Sequence, residues 1–524
     1  GQAPTIAKIK LTRYNRRIAN PSRAALALMY LDYYIGGDTL SNTLKTIPKG
    51  SLSNTSLKKE LAQKTDKPLD WFFDHYIHLD NNVDLKIQGK KLNSGISRIQ
   101  ISSTQSEIAI PIKKILTSGA QQTDWILTDD LPFQQDYKNS EVSSLTINEN
   151  HFIPEQQLNN NTYQFGKRLF RNNLKFRFLQ DISQSGTALL LYRPEFAYNY
   201  YDGLLGGVSI ANSSILANRY RFKFSPQYGV KRQQISGLGF VIADYYKENS
   251  SHYLTRINLF GSSYHYAPQL RYTVFTPSLI FYYRPKGIQN KQRSSLRFRH
   301  VSVRLDDLPE EDKRRSYGVS LASFESRKGT ALDNISYKIE AQMASNFKKL
   351  SVESEYITYY APNRRWTMRV FAGTFLSNNT DDDYYDFNVS RVNDYLFQYD
   401  LYGRSEAEGF FSQQYIKADG ALRTIGKLTS ANQWLMTAQS TTTIWRWIEG
   451  YAEIGWIKNS YQKPETHWGT GITFNLVPDF FEVHFPIYNS DGAVFSNYAY
   501  AKHIRFQLSL RPASIAKLFS RSWF

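Results

Sequence analysis

Side chains able to do chemistry are few in this chain, and they are scattered. His75 and His78 stand three residues apart, with Asp74 and Asp80 beside them, on a stretch that reads as a short helix. Two histidines at i and i+3 share a helical face and could give a metal two ligands, but the spacing specifies no third. The other seven of the nine histidines are isolated, and no His-Glu-x-x-His occurs. With no cysteine, disulfides, thiolate zinc sites and thiol nucleophiles are all excluded. No Ser-His-Asp set, phosphate loop or nucleotide fingerprint is visible. These residues predict a chain without catalytic residues or cofactors, in which His75 and His78 are the sole metal candidates.

The elements that would position these groups fall into three segments. Residues 1–80 read as helical. Ala24, Ala25, Leu28, Leu31 and Ile35 keep helical spacing, and Gly36-Gly37 supplies a stop. Ser56 with Glu60 marks a further start, and Pro68 opens a last short helix carrying Trp71, Phe72 and Phe73. Residues 81–165 change to short alternating strands, such as 83–87 and 108–112, and read as a small β-sandwich. A polar exit at Asn159-Asn160-Asn161 leads to a linker and barrel entry over 166–187.

From 188 to 524 the period is two. Ile335, Tyr337, Ile339, Ala341 and Met343 alternate with polar partners, as do Ile472-Phe474-Leu476 and Phe481-Val483-Phe485-Ile487. The last run places Ile504, Phe506, Leu508 and Leu510 on one face and Arg505, Gln507 and Ser509 on the other. Runs this long, ending in Tyr or Trp, fit the roughly 9–11 tilted residues of a membrane-crossing strand. Composition agrees: 37 Tyr, 32 Phe and 9 Trp coexist with a mean hydropathy of −0.49. No run reaches the 18 or so apolar residues of a membrane helix.

The fold class predicted is mainly β: a transmembrane antiparallel β-barrel of about 16 strands, preceded by a small helical segment and a β-sandwich. A phase slip near His300 and Val301 predicts a bulge. The longest strand-free stretch, about 378–418, joins strands eleven and twelve and contains Arg404, Glu408, Gly409 and Phe410. A loop of that length is commonly functional. The net charge of +18 is spread through strands and turns without a basic helix or RNA-binding motif, so nucleic acid is not an expected partner.

Residues 21–80 resemble the end of the catalytic region of gluzincin, aminopeptidase N-like metallopeptidases. The resemblance rests on Ser22-Arg23-Ala24-Ala25-Leu26-Ala27-Leu28, Tyr33-Tyr34-Ile35-Gly36 and Pro68-Leu69-Asp70-Trp71-Phe72-Phe73-Asp74, with Pro154-Glu155 and Asn160-Asn161 closing the following β-domain. It implies zinc chemistry that this sequence lacks: the zinc motif is missing, and Pro21 stands where the family uses a tyrosine. The region therefore looks like a peptidase remnant that retains packing residues, which favours partner binding through Trp71, Phe72 and Phe73. The barrel resembles a Bacteroidota-type outer-membrane barrel in Tyr198-Asn199-Tyr200-Tyr201-Asp202-Gly203-Leu204. Its strand number, loop and closing strand also look like the outer-membrane insertase and two-partner-secretion family. There an Arg-Gly-aromatic motif of this loop enters the lumen and is held by wall carboxylates; here Arg404 is followed by Ser405, and Gly409-Phe410 comes later.

The resulting expectation is a non-enzymatic outer-membrane barrel with a periplasmic N-terminal region. It would act as a subunit or scaffold of a protein assembly or secretion complex, with other outer-membrane or periplasmic proteins, lipid and lipopolysaccharide as partners. Two alternatives are a membrane anchor for an active zinc aminopeptidase whose catalytic part lies outside this chain, and a passive channel or export pore. Export requires a signal segment, so the start Gly1-Gln2-Ala3-Pro4 reads as a processed or trimmed end.

Overall fold

Gly36 and Gly37 end the first helix as their positions predict, with φ of 78° and 66°, a region costly for residues with a β-carbon. The structure is a computed structural model that describes residues 21–508 apart from 49–52, 79–82, 94, 105–106, 128–131, 154, 156–157, 159, 166–172, 182–186, 214–217, 248–249, 286–290, 307, 310–311, 313, 331, 363, 478–480 and 497. It divides into two compact units, residues 1–191 with 212–218, and residues 192–211 with 219–524.

In the first unit, α1 (Pro21–Ile35), α2 (Thr39–Thr46) and α3 (Asn54–Ala62) precede a short helical stretch, a π-helical turn at Trp71–His75 continued by a 3-10 turn at Tyr76–His78. Ser53 caps α3: its Oγ accepts from Ser56 N at 3.1 Å, and Ser53 N donates to Ser56 Oγ at 2.9 Å. This reciprocal pair starts the helix ahead of the Ser56–Glu60 signal. Two small sheets follow. One pairs Leu85–Asn93, Ile96–Ser103 and Phe133–Lys138; the other orders Gln121–Leu127, Ala109–Leu116, Val142–Ile147 and Thr162–Gln164. Tyr30 sits at the centre of the shared core, fully buried, within 4.9–6.0 Å of the rings of Trp71, Tyr76, Trp125 and Phe152. Its hydroxyl donates to the Ala109 carbonyl, so α1 is fixed to the second sheet by a polar bond as well as by packing.

Glu155 ties the end of this unit to its first strand. Its carboxylate accepts from Leu85 N at 2.9 Å, from Asn161 Nδ2 at 2.7 Å and from Asn148 Nδ2. Burial pushes its pKa up to about 7, outweighing the three donors that favour the ionised form.

The second unit holds most strands of the barrel. Among the described residues, eighteen strands form one closed barrel. The stretch expected as a linker contains one of them, Asn173–Phe178, and the two-residue Gly492–Ala493 is another; these are the two beyond the sixteen expected. From Gly203–Ala211 to Phe481–Asn489 each strand pairs antiparallel with the next, and Arg364–Asn378 pairs with Trp434–Trp445 across the long loop. Alternate residues face outward, as with Ile335, Tyr337 and Ile339 at 45, 39 and 41% exposure. An apolar exterior of this kind suits lipid.

Three expectations are corrected. No register shift interrupts Arg293–Leu305 on either neighbour, so there is no bulge at His300. The apolar residues change face instead: Leu296 and Phe298 share the outward face, whereas Val301, Val303 and Leu305 face inward at 1–2% exposure, against the loop's Leu396 and Phe397. The loop itself runs from 379 to 433, longer than read, because the next long strand starts at Trp434. The closing strand is four residues, Arg505–Leu508, with Ile504 just before it, and Leu510 lies outside the described residues.

A raised Glu155 pKa sets a pH dependence. Below the ordinary value of 4.5 the carboxyl is neutral in both folded and unfolded chain, and the stabilisation is fully present. As pH rises towards 7 the unfolded chain ionises first, and stability on the order of 3 kcal/mol is lost. Hydrogen-exchange protection of the 85–103 hairpin, corrected for intrinsic rate, is expected to fall between pH 4.5 and 7, and Glu155→Gln to flatten the profile.

Candidate functional site

Loop 379–433 turns back into the barrel and is held there by the wall. Phe387, Val389, Leu422 and Ala431 pack on the wall residues Phe371, Leu435 and Ile457. Tyr385, Tyr395, Leu396 and Phe397 pack on Tyr272, Val274, Val303, Val319 and Phe347. Apolar residues from many wall strands thus converge on one level of the lumen, which the loop fills.

Small wall residues allow the approach. A β-carbon on Gly469 would lie 2.2 Å from Thr424 Oγ1, and one on Gly373 would lie 2.7 Å from the Phe387 ring. Side chains there would push the loop off the wall.

The polar contacts centre on residues 419–424. Arg369 of the wall, 2% exposed, donates to the Asp419 carbonyl at 2.7 Å and to Glu353 Oε1 at 2.8 Å. Gln439 Nε2 donates to the carbonyls of Gly420 and Ala421 at 2.7 and 2.6 Å. Glu453, 4% exposed, receives Arg423 N at 3.0 Å, Thr424 N at 2.7 Å and Thr424 Oγ1 at 2.6 Å. The Arg423 guanidinium lies over Tyr415 and Tyr451, at 5.6 and 5.0 Å, with Nη1 3.8 Å from Glu453 Oε2. Nearby, Lys349 is held among the rings of Phe347, Phe375, Phe387 and Tyr395 at 4.7–5.2 Å. Its Nζ donates to the Tyr395 hydroxyl at 3.3 Å, and the surrounding ring faces attract the charge.

The loop also reaches the closing strand. Tyr415 N donates to the Phe506 carbonyl at 2.6 Å, beside a parallel bridge between Gln414 and Phe506. Arg505, 1% exposed, donates to the carbonyls of Ser390, Gln414 and Gln413 at 2.9, 3.1 and 3.2 Å.

The residues singled out from sequence take different places. Arg404 is inside, but it pairs with Asp394 of its own loop and donates to the Tyr399 carbonyl at 2.8 Å, over Phe397 at 4.9 Å. Among the described loop residues, the arginine that meets a wall carboxylate is Arg423, which no motif marks. Its sequence signal was the inward Glu453, in step with Glu449 and Tyr451; Glu449 is met by Arg365 of the wall, and Glu453 by the loop. Glu408 is exposed and Gly409 has φ of 75°. Phe410 is 61% exposed and stacks on Phe506 at 4.3 Å, so the loop covers Phe506 and leaves it 7% exposed.

In the first unit, Trp71, Phe72 and Phe73 are 4, 3 and 4% exposed. They build the core and present no partner-binding face. His75 Nδ1 lies 2.5 Å from Glu107 Oε2; Asp80, beside His78, lies outside the described residues. Among the described residues no group of three or more His, Cys, Asp or Glu converges as a metal site. Pro21 is the first residue of α1, where its missing N–H costs nothing.

Fold and site together define a large antiparallel β-barrel whose lumen is occupied by its own loop. No protein-family model matches the sequence, and no curated protein is significantly similar to it. Among solved structures, similarity is found to CdiB from Acinetobacter baumannii, at 12% identity and a TM-score of 0.30 over 57% of each chain. It is also found to BamA from Haemophilus ducreyi lacking POTRA domains 1-3, at 9% identity and a TM-score of 0.34, over 90% of this chain and 95% of that one. The chain thus spans little more than half of the CdiB structure.

Removing one member of a buried ion pair typically costs ~3–5 kcal/mol. Glu453→Ala is therefore expected to loosen the loop. A thiol placed at Ser390, 4% exposed in this cysteine-free chain, reports it. Maleimide labelling of Ser390→Cys should accelerate at least about tenfold in the Glu453→Ala background. An unchanged rate would show that the loop is held without this carboxylate.

Proposed function

We propose that this chain is an outer-membrane β-barrel with a non-catalytic periplasmic N-terminal region, working as a subunit or scaffold of a protein assembly or secretion complex. The observation that carries this reading is the occupied lumen. A passive pore needs an open water path, whereas here the loop is fastened by Arg369, Gln439 and Glu453 of the wall. The apolar outward face supports placement in a membrane that admits barrels, and lipid and lipopolysaccharide are its natural contacts. An even strand number, as single-chain bacterial barrels have, would return the chain to its starting side, which is why the first unit is read as periplasmic.

The gluzincin resemblance enters this reading as a remnant. The residues it suggested for binding are consumed in the core, so a partner would meet other surfaces of the unit. The chemistry of a zinc peptidase requires a bound metal to polarise the peptide and activate water.

Two results would test the reading. Purified from native membranes without crosslinking, the chain should show heat-modifiable migration and bring down other outer-membrane or periplasmic proteins. Depleting it should lower the level of other barrel proteins or of secreted cargo. A large, steady conductance from the unaltered chain in planar bilayers would favour a pore. Stoichiometric zinc with chelator-sensitive peptide cleavage would overturn the non-catalytic assignment.

A further inference from the structure

Where the end of loop 379–433 meets the wall, four side chains form one directed chain of hydrogen bonds. Glu453 accepts the hydroxyl proton of Thr424 at 2.6 Å. Having given that proton away, Thr424 Oγ1 can only accept from His467 Nε2, 3.1 Å distant. In the neutral ring Nδ1 then carries no proton, so at 2.8 Å it accepts from the Ser490 hydroxyl. Ser490 Oγ in turn accepts from Trp468 N at 3.4 Å, and Ser490 N donates to the Trp468 carbonyl at 3.0 Å. This pair of bonds holds the serine beside the histidine. Gly426 leaves room for the ring, since a β-carbon there would lie 2.5 Å from His467 Nδ1.

The order is that of a nucleophile, a base and the groups that orient the base. Thr424, His467 and Glu453 are buried, whereas Ser490 is exposed. A buried imidazole tied to a carboxylate through a hydroxyl keeps its tautomer, and its charge is stabilised when it takes a proton. With an ester the balance closes. Ser490 Oγ attacks the acyl carbon and its proton passes to His467 Nδ1; the ester C–O bond breaks, and the leaving alcohol takes that proton. Water then attacks the acyl carbon and gives a proton to His467. The bond to Oγ breaks as Oγ recovers that proton, and the carboxylic acid is released.

The rings around the serine indicate which ester could reach it. Trp468, Tyr488 and Phe495 are all exposed, and the last two meet at 5.7 Å on either side of the Ser490 turn. On a barrel in lipid, exposed Trp and Tyr mark the boundary between headgroups and acyl chains, the depth of acyl ester carbonyls. We infer that Ser490 and His467 are catalytic residues that cleave an acyl ester of a membrane lipid, with Thr424 and Glu453 as positioning residues. The inference goes beyond the assembly or secretion reading, takes from it only the placement in a membrane, and leaves the first unit non-catalytic.

The test uses the full chain in detergent. Its probe is a long-chain alkyl phosphonofluoridate, from which attack by a serine oxygen expels fluoride. Peptide mass spectrometry should find the phosphonyl group on Ser490, at one per chain. His467→Gln should slow this labelling about a hundredfold or more. Thr424→Val should slow it about tenfold, and Thr424→Ser, which keeps the hydroxyl, should recover it. The unaltered chain should release fatty acid from mixed micelles of phosphatidylethanolamine or of lipid A, and whichever is cleaved identifies the lipid. Ser490→Ala should release none.

An unlabelled Ser490 in a chain with heat-modifiable migration would overturn the inference, whatever becomes of the variants. So would labelling that His467→Gln leaves unchanged, Thr424→Val and Thr424→Ser reacting alike, or release of fatty acid from neither lipid. Absence of heat-modifiable migration in the unaltered chain would instead remove the membrane-barrel reading, which separates the two failures.

Discussion

The inside of the barrel depends on one contact, the backbone of residues 419–424 laid against inward polar side chains of the wall. Arg369, Gln439, Thr437 and Glu453 are all nearly buried, and buried polar groups are costly unless paired. The loop supplies their partners from its main chain: the carbonyls of Asp419, Gly420 and Ala421, and the N–H groups of Arg423 and Thr424. That arrangement requires a backbone most sequences avoid. Asp419 and Ala421 both sit at φ of 48°, a left-handed conformation that costs on the order of 1–3 kcal/mol for residues other than glycine. Such strain persists where the surroundings over-determine it, and here five main-chain groups are claimed by the wall at once.

The same loop compensates for a short wall. Arg505–Leu508 pairs with Phe481–Asn489 at four positions, whereas neighbours such as Phe347–Ala361 and Arg364–Asn378 pair along most of their length. So few ladder bonds make a weak last strand. Arg505 offsets this through three loop carbonyls, Phe506 through the bond from Tyr415 and the stack with Phe410. Anchoring of the loop and retention of the closing strand are therefore one cooperative unit. A change that frees residues 413–415 removes much of what holds the last strand from inside.

Much of the barrel was legible from sequence, because an apolar outer face imposes a period of two along its strands. Ile335 to Met343 or Ile472 to Leu476 could be assigned a face from the period of two alone. The site was less legible, because its contacts join residues far apart in sequence. Arg404 drew attention through its loop position and the nearby Gly409-Phe410, yet Asp394, ten residues earlier, satisfies it. Arg423 has no motif around it; its significance comes from Glu453, thirty residues on and on the wall. The aromatic run Trp71-Phe72-Phe73 misled for a related reason. A cluster of rings fits a partner or a core equally well in sequence, and Tyr30, Tyr76 and Phe152 decide for the core.

The phase change at His300 carries a broader lesson about reading barrels. Alternation reports the solvent on each side of a strand, not the strand's geometry. Where the apolar face moves from Leu296 and Phe298 to Val301, Val303 and Leu305, the register is kept on both neighbours; what changes is the medium inside. Val319 and Leu321 on the next strand are inward and apolar at the same level, opposite Leu396 and Phe397 of the loop. Adjacent strands that turn apolar inward at one height cannot be facing water there. The pattern marks the level at which the chain fills its own lumen, and it is present in the sequence before any loop is placed.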